Sequence, residues 1–288
     1  MGVSDGAYFA WLGAALERFE RATGELGAVG ELRAAATPSA VVDGPTAAPR
    51  TPVDFCVLAG ARMNPALELA RDALGRERTR VTFLDKFATG PDVIPADFNR
   101  LGDVASDSAD VIVMTRASYM IEDSAAFLAG ARRILRPGGL LIIDWLHGAA
   151  DAPLLTLPGH HEYAGRAYPF HTTYCDAEFV GEFPDEFAAF IAHVNRPPAW
   201  VDLDRPGARV PARAWLRRVL GRGPRRDVTP ATYLATLRAD LARAGKHLIE
   251  PDQLSPAFKV VFRDARYLYP RTRKFHLHLL TVLRPTGA

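Results

Sequence analysis

Between residues 53 and 144, short runs rich in Val, Ile and Leu alternate with segments of helical periodicity, and this rhythm constrains the fold more than any other feature. The runs are 53–58 (VDFCVL), 80–84 (RVTFL), 111–115 (VIVMT) and 140–144 (LLIID). After the first, Asn64-Pro65 supplies an N-cap side chain and a first-turn proline. Leu67, Ala70 and Leu74 continue as one helical stripe, and Gly75 stands at the C-cap position. A second helix is predicted over 124–135, stopped by Pro137-Gly138-Gly139. Strands this apolar, separated by helices, predict a parallel sheet covered on both faces. Parallel neighbours need right-handed crossovers, so the fold class is α/β and doubly wound.

The flanks divide the chain further. Tyr8, Leu12, Leu16 and Phe19 recur at helical spacing, and 36–52 holds four prolines, so 1–50 reads as an N-terminal helical cap and linker. Residues 51–150 form the core. Residues 151–227 break the rhythm with Pro, His and aromatic side chains and read as an inserted lid for substrate. In 228–288 a helix is predicted from 230, followed by strands at 258–269 and 275–283. PRTRK joins those strands, a connection short enough to make them antiparallel. No internal repeat is visible.

Hydrophobic residues at 48% and charged residues at 24% describe an ordinary globular chain and exclude coiled coil, collagen and wholesale disorder. Two cysteines, Cys56 and Cys175, are too few for a disulfide framework. No apolar run is long enough to span a membrane, and no signal-peptide pattern opens the chain, so a cytoplasmic protein is expected. A net charge of +2 does not call for nucleic acid. The basic residues are nonetheless skewed: four of the 35 are lysine, and eight arginines fall between Arg205 and Arg226. They are read either as a solvated face or as a rim attracting an acidic substrate.

The succession of strand, glycine-containing turn, helix, strand ending in Asp85, VIVMT, ILRPGGLLIID and a closing strand pair resembles the class I S-adenosylmethionine-dependent methyltransferases. It covers about residues 50–150 and 228–285. The ILRPGG turn is its most specific piece. The resemblance implies a mostly parallel, seven-stranded-type sheet with an antiparallel C-terminal strand. It also implies S-adenosyl-L-methionine as cofactor and a small-molecule substrate, and it admits a homodimer. The glycine pattern of a nicotinamide dinucleotide fold is missing.

The first turn departs from the family's E/D-x-G-x-G-x-G pattern: it reads LAGARMNP, with Gly60 flanked by Ala59 and Ala61. Gly60 is expected to let the backbone approach the cofactor or to take a positive φ. Arg62 would pair with the methionine carboxylate or cover the sheet edge. By the resemblance, Asp85 accepts both ribose hydroxyls, and Asp97 and Phe98 bracket the adenine. Thr115, Ser118 and Tyr119 follow a central strand at its carboxyl end, where ligands bind in open α/β sheets. Asp144 and His147 reach the same edge, the first as a substrate contact and the second as a candidate base.

The insertion carries His160, His161, Tyr163, Tyr168, His171, Tyr174 and Cys175. Their spacing fits neither a helical pair of ligands nor a compact zinc module, so no metal is expected. Substrate binding is assigned to Tyr119, Asp144, His161, His171 and Tyr174, and catalytic candidacy to His147, His161 and Tyr174. His276 and His278 alternate in the last strand and read as structural, and Cys56 reads as a small core residue. Three functions follow. The first is methyl transfer to a small molecule. The second is attack on the methionine chain of the same cofactor, by cyclisation or aminocarboxypropyl transfer, releasing methylthioadenosine. The third is a non-catalytic binding scaffold, favoured by arginine in the glycine turn.

Overall fold

A computed structural model describes residues 3–29, 52–60, 62–86, 90–147, 160–163, 166–169, 172–174, 181–195, 228–243, 247–249, 254, 256–268 and 277–287. Its centre is a seven-stranded sheet. The parallel strands are β1 (Val53–Leu58), β2 (Thr79–Asp85), β3 (Val93–Pro95), β4 (Ala109–Met114) and β5 (Leu135–His147). They are completed by β10 (Phe258–Tyr267) and β11 (Leu277–Pro285), in the order β10-β11-β5-β4-β1-β2-β3. Strand β11 runs antiparallel to both neighbours. Every residue of β1 and β4 is buried, as strands covered on both faces require.

Helices α1 (Val3–Thr23) and α2 (Pro65–Leu74) cover one face, with Leu12, Leu16 and Phe19 packed among Phe55, Val57, Val111 and Ile142. The predicted N-cap is made: the Asn64 side chain accepts from the amides of Ala66 and Leu67 at 3.1 Å. The other face is covered by α3 (Ser124–Ile134), α4 (Pro184–Asn195) and α5 (Pro230–Arg243). Helix α4 lies inside the stretch expected to form a lid, yet it buries Phe187 and Phe190 in the core beside Tyr233. A hairpin of β6 (His160–Tyr163) with β7 (Arg166–Pro169), and a parallel pair of β8 (Thr172–Tyr174) with β9 (His247–Ile249), make two small sheets.

The Pro-Gly-Gly turn has two physical reasons. Gly138 sits at φ 78°, in the left-handed region. At Gly139 a Cβ would come within 2.8 Å of the Asp110 carbonyl oxygen, so only glycine lets β5 close on β4 there. Between β3 and β4 the described residues contain no helix, in keeping with the short span between Asp85 and Asp110.

Candidate active site

The strand order reverses between β1 and β4, which makes the carboxyl ends of those two strands the switch point where open α/β sheets place ligands. The last paired residues there are Leu58 and Met114. Immediately beyond them, the backbone turns left-handed at two non-glycine residues: Ala59 at φ 53° and Arg116 at φ 57°. Such residues cost about 1–2 kcal/mol each and gather where the surrounding structure imposes a conformation. The Ala59 amide donates to the Leu84 carbonyl at 2.8 Å, which ties the turn to the end of β2.

This corrects one expectation for the turn. The left-handed position is Ala59, and Gly60 has no positive φ. Glycine serves space instead: a Cβ on Gly60 would lie 3.0 Å from Cγ1 of Val57. Ala61 lies outside the described residues, and Arg62 is exposed.

Asp85 is half-buried at the end of β2, and its carbonyl accepts from the Ala96 amide at 3.2 Å. Asp97 follows β3 and starts a tight turn, its side chain accepting from the Asn99 amide at 3.0 Å. Lys86 Nζ lies 2.8 Å from the same carboxylate. Burial works against ionisation of Asp97, but Lys86 and the Asn99 amide outweigh it and hold the carboxyl below its usual range. Phe98 is only 3% exposed and packs with Leu84, Leu101 and Met114. Its burial is that of a core side chain, which leaves its ring no open face for a base.

Asp144 is fully buried on the α1 side of β5. It accepts from the Tyr8 hydroxyl at 2.7 Å and lies 3.1 Å from Nδ1 of His278. A substrate contact from Asp144 would have to displace both partners, because the side chain points into this network. Burial, and then the Asp144 charge, raise the Tyr8 phenol well above its ordinary value, so it remains a donor. Arg116, next to half-buried Thr115, places its guanidinium carbon 5.3 Å from the Tyr8 ring centroid. Tyr8 thus joins α1 to β4 and β5 beside the switch point. Sequence reasoning saw Tyr8 only as one member of an apolar stripe; its polar tip was the available signal.

Ser118 is buried in the loop after β4, in a single 3-10 turn over Ser118–Met120 that also holds the Tyr119 backbone. His147 ends β5, His161 lies in β6, and Tyr174 lies in β8. The side chains of Tyr119, His147, His161 and Tyr174 lie outside the described residues, as does the whole of His171. A separate cavity of about 290 Å³ opens on the α3 face, lined in part by Asp54, Cys56, Arg80, Leu84 and Ile94. Burial pushes the Cys56 thiol up to about 12, so it is no nucleophile. Among the described residues, no cluster of His, Cys, Asp and Glu could hold a metal, and no helix is long and apolar enough to cross a membrane.

This sheet order, with β11 alone antiparallel, is that of the class I, Rossmann-like methyltransferases. Residues 68–148 match the model of a family described as a hypothetical methyltransferase. No curated protein matches the sequence. Among solved structures, the N-methyltransferase NodS from Bradyrhizobium japonicum, in complex with S-adenosylhomocysteine, is 11% identical, over 93% of this chain and 88% of that one, at a TM-score of 0.34. A methyltransferase from Methanosarcina mazei is 12% identical, over 81% and 92%, at 0.35. The 1,6-didemethyltoxoflavin-N1-methyltransferase from Burkholderia thailandensis is 10% identical, over 100% and 92%, at 0.35.

Proposed function

We propose that the chain is an S-adenosylmethionine-dependent methyltransferase acting on a small molecule. The observation that carries this reading is the pair of left-handed non-glycine residues, Ala59 and Arg116, flanking the switch point beside half-buried Asp85. Left-handed non-glycine residues also occur at Leu101 and Asp107, so it is the position of Ala59 and Arg116 at the switch point that points to a ligand. The match of residues 68–148 to a methyltransferase family supports the same chemistry.

The residues present fit the cofactor. Asp85 would accept from the ribose hydroxyls, whose two neighbouring donors suit a carboxylate. Asp97, already oriented by Lys86 and the Asn99 amide, would meet the exocyclic amine of adenine. The bound cofactor supplies a methyl group made electrophilic by its sulfonium. The chain then needs to align the acceptor, exclude water and accept any proton released. The Thr115, Ser118 and Tyr119 loop would orient the methionine part and the acceptor. His147 and His161 are the candidate bases, Tyr174 and His171 complete the acceptor side, and the part of 151–227 outside α4 serves as the lid.

Calorimetric titration with S-adenosylmethionine and S-adenosylhomocysteine tests this directly. Micromolar binding of both is expected, and absence of binding overturns the reading. Product analysis then separates the two enzymatic outcomes. S-adenosylhomocysteine marks methyl transfer, whereas methylthioadenosine would mark attack on the methionine chain.

A further inference from the structure

We infer that Arg116, laid over the Tyr8 ring, holds the carboxylate of the bound cofactor's methionine part, and that the buried Tyr8–Asp144–His278 network positions it. The inference rests on the function proposed above and deepens it.

Arg116 lies two residues beyond Met114, as Gly60 lies two beyond Leu58, and Leu58 and Met114 are register partners in adjacent strands. The arginine therefore emerges beside the cofactor turn itself. Its left-handed backbone, φ 57°, fixes the direction in which the side chain leaves the strand. The guanidinium carbon lies 5.3 Å from the Tyr8 centroid. A guanidinium over a ring has its positive charge held by the π-face, while its in-plane N–H edge stays available for a bidentate carboxylate. It needs no freedom from other partners, because it carries five donors.

The platform beneath it is anchored. Tyr8 is 2% exposed and donates to Oδ2 of Asp144 at 2.7 Å, and Nδ1 of His278 lies 3.1 Å from that same oxygen. The His278 ring also lies 4.7 Å from the Tyr8 ring, centroid to centroid, so the phenol is fixed both at its oxygen and along its face. Two strands and one helix thereby agree on where Arg116 sits. Arg116 is the residue that touches the ligand; Tyr8, Asp144 and His278 act through it.

The experiment compares two ligands that differ in the group concerned. S-adenosylhomocysteine carries the amino-acid carboxylate and methylthioadenosine lacks it. Arg116→Gln should raise the Kd for S-adenosylhomocysteine tenfold or more while leaving that for methylthioadenosine within threefold, and Arg116→Lys should recover part of the loss. Tyr8→Leu removes the platform and should reproduce the selective loss more weakly. Tyr8→Phe keeps the ring and should fall between Tyr8→Leu and the wild type, which gives a reading even where Tyr8→Leu does not fold. Equal affinities for both ligands in wild type and Arg116→Gln overturn the inference, as does a selective loss carried by Arg62→Gln instead. If the wild type binds neither ligand, the proposed function itself falls.

Discussion

The two ends of the same central strands use the same residue types to opposite effect. At the amino end, Arg136 bridges Asp54 at 2.7 Å and Asp110 at 2.8 Å, Arg80 bonds Asp54 at 2.6 Å, and the Asp54 amide donates to Asp110 at 2.8 Å. The carboxylates are nearly enclosed, and each is answered by guanidinium or amide. At the carboxyl end, the backbone is left-handed at Ala59 and Arg116, Asp85 is half-buried, and Arg116 is exposed. A closed, mutually satisfied network fixes strand register, whereas the carboxyl edge leaves Asp85 and Arg116 partly open to solvent at the switch point. Charge alone does not mark a site: the Arg80 side chain is 65% exposed at the amino end, yet it is paired with Asp54.

The sharpest way to break this comparison is at the amino end. Arg136→Ala would leave the Asp54 and Asp110 carboxylates buried without their shared cation, at a cost of about 3–5 kcal/mol in stability. Affinity for S-adenosylhomocysteine should not change. Urea denaturation and calorimetry on the same sample check both halves, and a large loss of affinity in a folded variant would mean that the two ends are not separate. At the carboxyl end the pattern should invert. Asp85→Ala should remove charge-assisted hydrogen bonds, costing about 2–4 kcal/mol in affinity, while the urea midpoint stays near that of the wild type. Equal affinity in Asp85→Ala and wild type would remove Asp85 from the site.

A smaller effect tests the strain itself. Ala59→Gly relieves a left-handed alanine but frees the unfolded chain, so a net gain of about 0.5–1 kcal/mol is expected. A rise in the thermal midpoint confirms it, and a fall would mean that the alanine methyl contributes packing that outweighs the strain.

The regular elements were legible because periodicity is local. Strand β1 falls on the apolar run 53–58, and the Asn64 cap and Gly75 stop bound α2 as expected. Helix α4 escaped although Phe187, Phe190 and Ile191 have helical spacing, because the prolines and histidines around it break the α/β rhythm. Strand β3, three residues ending in proline, is too short to carry a period. The site was legible only in part. Asp85 stands at the strand end that the pattern placed it on, but the partners of Asp144 lie 136 and 134 residues away in sequence. No local signal links them. The left-handed residue at the first turn was hidden for another reason: an adjacent glycine is the usual bearer of that conformation, and here alanine takes it.

The smallest expected effect concerns the ion pair between Lys86 and Asp97, on the carboxyl side. The Asp97 side chain is 27% exposed and that of Lys86 39%, so the pair is screened by water in a way that Arg136 and its partners are not. Its contribution should be about 0.5 kcal/mol, an order of magnitude below the amino-end network. The sign with pH follows from the direction of the shift. Asp97 is held below its ordinary value of 3.8, so the folded state favours the ionised form. The stabilisation is complete above that ordinary value and is lost as pH falls through the lower, folded one. Lys86→Met should therefore lower stability slightly at pH 7, and the gap between variant and wild type should close as the pH drops below about 4. Urea midpoints for both proteins across pH 3 to 7 measure the gap. A difference that stays constant over that range would assign the loss to packing of the lysine stem rather than to its charge. A loss of several kcal/mol would place this pair in the same class as the amino-end network and erase the distinction between the two ends.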